Sequence, residues 1–119
     1  MKIAVSSQGT GLDSQVDPRF GRAAYILIID TISSGVEVLD NSENLNAFKG
    51  AGIQAAAMVG DNGAEVLLTG YCGPNAFKTL EAAGVKVAND VTGTVGDAVN
   101  AFNEGIVSFA DNANVEGQW

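Results

Sequence analysis

The sequence predicts an α/β domain built on a five-stranded mixed sheet, with elements in the order β-β-β-α-β-α-β-α. Two observations carry this prediction. In the first half of the chain, three short apolar runs are separated by loop and turn residues, which is typical of a meander of strands. In the second half, such runs alternate with segments of helical apolar spacing, which is typical of parallel strands joined by helices.

The first three strands are predicted from residues 2–7, 23–30 and 36–39. The second run is almost continuously apolar, which indicates a strand buried on both faces. The third run alternates only in part and is expected to be more exposed. Residues 8–22 form a long loop, and loops of this length in small domains are usually functional or disordered. We expect this loop to be mobile without a ligand, because its composition offers little contact with the core.

The second half of the chain predicts a helix over residues 51–60, a strand over 65–69, a helix after Gly73 and a strand over 85–87. A last helix follows Thr94, where the sequence resembles a capping box with Asp97 as its acidic member. The predicted apolar stripes are Ile53, Ala56, Ala57 and Gly60 on the first helix, Ala76, Phe77, Leu80 and Ala83 on the second, and Val95, Ala98, Val99 and Phe102 on the third.

The chain of 119 residues is expected to form one domain over residues 1–105, followed by a loosely docked tail over 106–119. It contains no apolar run of about 20 residues, so no membrane span is predicted. The N-terminal residues lack the apolar core of a signal peptide, which predicts a cytoplasmic protein. A monomer is expected, with a cluster-dependent dimer left open. A single cysteine, Cys72, excludes an internal disulfide.

The charge balance restricts the kind of partner. The chain contains six Lys and Arg and fourteen Asp and Glu, which gives a net charge of −8. Nucleic acid is disfavoured, because neutralisation of phosphates by Lys and Arg supplies most of that affinity. A protein this acidic can bind an anion only through local cations and backbone dipoles.

The segment Asp17-Pro18-Arg19-Phe20-Gly21-Arg22 concentrates that local charge, since two of the six cations lie within four residues. Pro18 fixes its own φ and pushes the preceding residue toward an extended conformation. Arginine is permanently charged and presents a planar fork of donors. We therefore interpret the segment as a stiff loop that receives a small anion.

Three glycine-rich segments are expected to meet beyond the carboxyl ends of the strands, where α/β sheets bind ligands beside helix N-termini. They are the arginine loop, the approach to the first helix and the segment from Gly70 to the second helix. Apolar side chains of Phe20, Ile53 and Tyr71 are expected to form a wall. The candidate binding residues are Arg19, Phe20, Gly21, Arg22, Asn44, Gly50, Gly52, Ile53, Gly70, Gly73, Pro74 and Asn75.

The chain lacks the usual metal ligands. It has no histidine and one cysteine, so it cannot build a thiolate site for zinc or iron–sulfur. A metal centre that binds here must bring its own ligands, and an anionic metal–sulfide cluster would do so. Cys72 lies in the predicted site and copper favours thiolate, which makes Cys72 a minor candidate for a direct ligand. In the alternative, Cys72 is simply a small buried hydrophobic residue.

The sequence resembles the dinitrogenase iron-molybdenum cofactor biosynthesis family, which includes NifX, NafY and the C-terminal part of NifB. The resemblance covers roughly residues 1–105. The matching residues are 1–5, 17–23, Asn44, 50–52, 69–70 and 73–74.

That resemblance implies a ribonuclease H-like fold, no enzymatic activity and a role in holding a metal–sulfide cluster. The stand-alone format and residues 113–119 are most similar to a branch from sulfate-reducing bacteria, which implies a non-covalent molybdenum–copper sulfide cluster; a related Mo/Fe–S cluster is the alternative. Several relatives carry histidine where this chain has Arg22, and this departure favours purely electrostatic holding. A protein partner within a cluster-associated complex is also implied.

Other interpretations stay open at this stage. The two arginines could pair with Asp13 and Asp17, since surface ion pairs are common and contribute little. Phe20 could anchor its loop in the core, and Pro74 could simply start a helix. Gly50 and Gly52 are equally explained by the geometry of a loop and a helix start.

Two other functions are alternatives to the cluster carrier. An acidic interaction module without any ligand would also explain the charge. A metal-dependent nuclease would need clustered carboxylates, and the first strand, Ile-Ala-Val-Ser-Ser, supplies none.

Overall fold

The computed structural model describes residues 1–45 and 50–111 and contains the predicted five-stranded mixed sheet, with strand order β3-β2-β1-β4-β5. The two neighbouring pairs within β1, β2 and β3 are antiparallel, and the pairs β1·β4 and β4·β5 are parallel. The strands are β1 (Lys2–Ser7), β2 (Tyr25–Asp30), β3 (Val36–Asp40), β4 (Val66–Leu68) and β5 (Lys86–Ala88).

The helices are α1 (Ser42–Leu45), α2 (Ala51–Asp61), α3 (Pro74–Ala82) and α4 (Val95–Asn103). The single turn α1 was not predicted. The capping box at α4 is confirmed, because the hydroxyl of Thr94 accepts from the Asp97 N–H at 3.0 Å and the Asp97 carboxylate accepts from the Thr94 N–H at 3.1 Å. No described helix is long and apolar enough to cross a membrane.

The sheet separates two apolar cores, as the alternation of side chains along a strand requires. On β2, Ile26 and Ile28 face the core under α2 and α3, whereas Leu27 and Ile29 face the core under α4. All four are nearly inaccessible to solvent. The prediction of a strand buried on both faces is therefore confirmed for β2.

The predicted apolar stripe of α2 is wrong in part. Ile53 and Ala57 are exposed, while the buried face consists of Ala51, Gly52, Ala55, Ala56 and Val59. The physical reason is close packing: a face of small residues allows the helix to approach neighbouring backbone where the larger Ile53 would not fit. On α3, Ala76, Phe77 and Leu80 are buried as predicted, but Ala83 follows the last helical residue and is exposed.

The long loop has much more core contact than its composition suggested. Val16 and Phe20 are buried. The N–H of Asp17 donates to the carbonyl of Ser6 at 2.9 Å, and the N–H of Val16 donates to the carbonyl of Gly93 at 2.9 Å. The expected lack of core contact is therefore wrong for the second half of the loop. Long-range backbone hydrogen bonds attach this half to β1 and to the loop before α4.

The described start of the tail lies along the outer edge of β5. Phe109 forms an antiparallel bridge with Ala88, and the N–H of Ala110 donates to the carbonyl of Val87 at 2.7 Å. The Lys86 ammonium lies 5.5 Å from the centre of the Phe109 ring. Residues 106–111 thus partly cover this edge of the sheet. The remainder of the predicted tail, 112–119, lies outside the described residues.

Candidate functional site

The arginine loop pairs directly with the connection between β4 and α3. The N–H of Tyr71 donates to the carbonyl of Pro18 at 2.6 Å, and the N–H of Phe20 donates to the carbonyl of Tyr71 at 3.2 Å. Gly70 permits this approach, because a β-carbon there would lie 2.7 Å from both the Cα and the carbonyl oxygen of Pro18. Two of the three segments predicted to meet are therefore in backbone contact.

The same loop also packs against the first turn of α2. A β-carbon at Gly21 would lie 2.7 Å from the Gly52 nitrogen and 2.8 Å from the Gly52 Cα, so only glycine fits this contact without a shift. The third predicted segment is thus brought to the loop as well. This convergence brings the arginine loop to the beginnings of both α2 and α3.

Asp17 holds the backbone of the loop in place. Its side chain is almost completely buried, and its Oδ1 accepts from the N–H of Arg19 at 3.0 Å. The Arg19 Nε lies 3.8 Å from the same oxygen, and half of the arginine side chain, 51%, is exposed. The predicted ion pair with Asp17 is therefore present for Arg19, but a single long contact of this kind contributes little and leaves the guanidinium accessible. Arg22 is half-buried.

The N-cap positions of helices α2 and α3 are glycines, which have no side chain to cap the helix. Gly50 precedes α2 in the left-handed region (φ 76°), and Gly73 precedes α3 in an extended conformation; neither position has a side-chain hydrogen bond. Helix N-termini leave several N–H groups without a partner inside the helix, and these groups carry partial positive charge. Pro74 occupies the first turn of α3, where its missing N–H costs nothing.

Apolar surface lies beside these backbone groups. Ile53 on the first turn of α2 is 42% exposed, and Tyr71 before α3 is 39% exposed. Phe20, by contrast, is 1% exposed and belongs to the core under α2 and α3. The structure thus places Phe20 as the core anchor of its loop, and the exposed apolar surface comes from the other two side chains of the predicted wall.

Cys72 is completely buried in the same core, with its Sγ 3.7 Å from the carbonyl oxygen of Gly73. Burial raises the pKa of the Cys72 thiol to about 12. Metals bind the thiolate, so at neutral pH this side chain is poorly prepared to act as a ligand. Within residues 1–45 and 50–111, no group of three or more His, Cys, Asp and Glu side chains could hold a metal ion.

Asn41 is a residue of the site region that the sequence analysis missed. Its side chain is fully buried, and its Nδ2 donates to the carbonyls of Ala23 at 2.8 Å and Gly21 at 3.3 Å. Its Oδ1 accepts from the Nδ2 of Asn44 at 2.7 Å. Asn44, predicted to contact the ligand, therefore supports the loop through Asn41. A lone asparagine after a strand gives no sequence indication of such a role.

Replacing Asn41 with alanine should destabilise the protein by about 1–3 kcal/mol, because two buried carbonyls would lose a donor. The free energy of unfolding from urea titration measures this change. Asn44→Ala removes only one half-buried partner and should have a clearly smaller effect. Equal effects of the two substitutions would show that Asn41 does not fasten the loop.

Fold and site together define a small α/β protein in which an arginine loop lies against two helix N-termini that begin at a glycine. The chain belongs to the dinitrogenase iron-molybdenum cofactor family, whose model matches residues 1–105. No curated protein matches the chain significantly.

Solved structures agree with this assignment. The apo form of the orange protein from Desulfovibrio gigas is 47% identical, with a TM-score of 0.94 and 96% of each chain covered. A Thermotoga protein with a provisional NifB assignment is 40% identical, with a TM-score of 0.84 and 98% of each chain covered. A dinitrogenase-like protein from Methanocaldococcus jannaschii shares the fold at 17% identity, with a TM-score of 0.71 and coverage of 94% and 96%. The family resemblance predicted from the sequence is confirmed, as is the similarity to the branch of the orange protein.

Proposed function

We propose that this protein is a non-enzymatic carrier that binds an anionic, molybdenum-containing metal–sulfide cluster without covalent bonds. The observation that supports this most directly is the contact of one loop with two helix beginnings, through Gly21 on Gly52 and Tyr71 on Pro18. Family membership indicates the chemical class of the bound cluster, since the matching family is that of the iron-molybdenum cofactor.

The residues present suit such a cargo. An anion of this kind needs positive charge, N–H donors for its sulfides and apolar walls. Arg19 supplies an accessible guanidinium, and the first turns of α2 and α3 supply backbone N–H groups from Ile53 and Asn75. Ile53 and Tyr71 supply exposed apolar surface. In this proposal Arg22 contributes further charge, while sulfide rather than protein supplies the ligands of the metals.

The metal composition of the cluster is also part of the proposal. The orange protein structure is an apo form, which identifies that relative as a protein that takes a ligand. By resemblance we propose a molybdenum–copper sulfide cluster, with a related Mo/Fe–S cluster as the alternative. Residues 1–105 are proposed as the cluster-binding domain and 106–119 as its tail. The ribonuclease H-like description and the cytoplasmic location stay predictions.

The test is a reconstitution. Metal-free protein is mixed with tetrathiomolybdate and copper, desalted, and its visible spectrum and metal-to-protein ratio are recorded. Binding predicts a coloured complex of fixed stoichiometry that survives the column. Tetrathiomolybdate without copper, and copper without tetrathiomolybdate, are run alongside, because a molybdenum–copper cluster requires both. Loss of all colour on desalting would contradict the proposal and leave the acidic interaction module as the better hypothesis.

A further inference from the structure

Two hydroxyl groups lie in the interior at the carboxyl ends of neighbouring strands. β1 and β4 are parallel, with Val5 beside Leu68, so Ser6 and Thr69 lie side by side one residue further along. Both side chains are completely buried, and their hydroxyl oxygens are 2.8 Å apart. Because side chains alternate along a strand, Ser6 faces the same side of the sheet as Ala4, toward α2 and α3. Polar groups are costly to bury unless they form hydrogen bonds, so the partners of this pair matter.

The hydrogen bonds of the pair run in one direction. The Ser6 hydroxyl donates to the carbonyl oxygen of Asp17 at 2.7 Å. A serine hydroxyl has a single hydrogen to donate, and a carbonyl oxygen can only accept. The hydrogen between the two hydroxyls must therefore come from Thr69, which donates to the oxygen of Ser6. We call this series of two bonds, from Thr69 through Ser6 to Asp17, the hydroxyl chain.

The hydroxyl chain ends at the residue that fixes the arginine loop. Ser6 binds both backbone groups of Asp17, because the N–H of Asp17 also donates to the Ser6 carbonyl at 2.9 Å. The buried side chain of Asp17 in turn accepts from the N–H of Arg19 at 3.0 Å. Pro18, which lies between these two residues, has a fixed φ and adds little freedom. The position of the Arg19 backbone therefore depends on two hydroxyl groups that solvent does not reach.

We propose that Ser6 and Thr69 are positioning residues of the cluster site, which set the place of Arg19 relative to the start of α3. This inference rests on the proposed function and adds to it the residues behind the binding surface. Thr69 lies two residues before Tyr71, whose N–H donates to the carbonyl of Pro18. The hydroxyl chain and this backbone contact thus attach the loop to the same end of β4. Since both hydroxyls are buried, they act on a ligand only through Arg19.

Ser6→Ala tests the inference directly, because it removes the donor to the Asp17 carbonyl. The wild type and the variant are reconstituted with tetrathiomolybdate and copper, and release is followed as loss of colour after dilution. We expect the variant to release the cluster about tenfold faster, by analogy with groups that orient metal ligands, whose loss costs about 10- to 100-fold in affinity.

Ser7→Ala is the matched control. Ser7 is the next residue of β1 and is equally buried, but its hydroxyl donates to the carbonyl of Gly9 at 2.7 Å, in the first half of the loop. The substitution removes the same group from the other face of the sheet and should leave the release rate nearly unchanged. Equal release rates for the Ser6 and Ser7 variants would overturn the proposal.

Two substitutions at Thr69 test the direction of the hydroxyl chain. Thr69→Val removes the hydroxyl at nearly constant shape but leaves the bond from Ser6 to Asp17, so it should accelerate release less than Ser6→Ala does. Thr69→Ser keeps the hydroxyl and should release the cluster at close to the wild-type rate. Faster release from Thr69→Val than from Ser6→Ala would show that the deduced direction is wrong.

Coupling to Arg19 distinguishes positioning from a purely structural role. Release is measured well below the unfolding temperature of each variant, so that a loss of stability alone does not change it. In the Arg19→Ala background, Ser6→Ala should cause little further acceleration, because groups that act through one another are not additive. Thr69→Val enters the same comparison and decides it if Ser6→Ala does not fold.

The outcomes separate this inference from the proposed function. Fully additive effects of the Ser6 and Arg19 substitutions would overturn the inference alone and leave the two hydroxyls as ordinary hydrogen bonds of the core. A wild-type protein that retains no colour would overturn the proposed function and this inference with it.

Discussion

Replacing Arg19 with alanine should weaken retention of the thiometallate cluster by about 10- to 100-fold, because a hydrogen bond to a charged group contributes about 1.5–3 kcal/mol. Arg19 combines a permanent charge, an accessible side chain and a backbone fixed by Asp17 and Tyr71. Folding should be little affected, since the ion pair lost with Arg19 is long and half-exposed. The metal-to-protein ratio after desalting measures retention, and thermal unfolding of the empty protein measures stability.

The matched control is Lys2→Ala. It removes the same unit of charge from an exposed side chain at the opposite end of β1, where no part of the proposed site lies. Arg19→Lys adds a second comparison, because it keeps the charge but loses the planar fork of donors. If Lys2→Ala reduces retention as much as Arg19→Ala does, the effect is one of net charge and the proposed position of the site is wrong.

Replacing Gly21 with alanine should both destabilise the fold, by about 1–3 kcal/mol, and impair cluster retention, because the added methyl group overpacks a close contact. The β-carbon would lie 2.7 Å from the nitrogen of Gly52 and 3.1 Å from the carbonyl carbon of Ala51, which are both backbone atoms. No flexible side chain can move away, so the arginine loop and α2 must separate. The urea midpoint and the metal-to-protein ratio are the two measurements.

Gly11→Ala provides the comparison for that substitution. It makes the same change in the same loop, but there the closest atom is the carboxylate oxygen of Asp13, at 2.6 Å. Asp13 is exposed and can rotate away, so little change is expected in either measurement. A Gly21→Ala variant as stable and as well loaded as Gly11→Ala would show that the contact between loop and helix is not required.

Apart from α1, the regular elements were predictable because each one carries its own local pattern. β1 and the first residue of α2 were predicted without error, and the capping box before α4 follows from two residues three positions apart. What local patterns could not give was the packing of the loop. Its order depends on hydrogen bonds to residues far along the chain, such as that from Tyr71 to Pro18, and nothing in residues 8–22 encodes that partner.

In the candidate site, too, the general arrangement was predictable and the packing of individual side chains was not. The convergence of its three segments follows from the topology of parallel strands and was predicted. The roles of the individual side chains were not predicted. Phe20 lies in the core, and Asn44 contacts Asn41. Aromatic and amide side chains suit a binding surface and an interior equally well, and only the surrounding packing distinguishes them. For Ile53, helical periodicity favoured burial, but the close contact of Gly21 with the backbone of Gly52 places a different face of α2 in the interior.

The glycines at the N-cap positions of α2 and α3 have a consequence for the energetics of the whole protein. A capping side chain contributes roughly a few tenths of a kcal/mol more than glycine at the same position, and Thr94 provides one at α4, whereas Gly50 and Gly73 provide none at α2 and α3. The empty protein therefore lacks the small stabilisation that capping side chains at these two positions would add. A bound anion would accept the hydrogen bonds that caps otherwise accept, so the cargo would complete the fold, and the carrier would become more resistant to unfolding only while loaded.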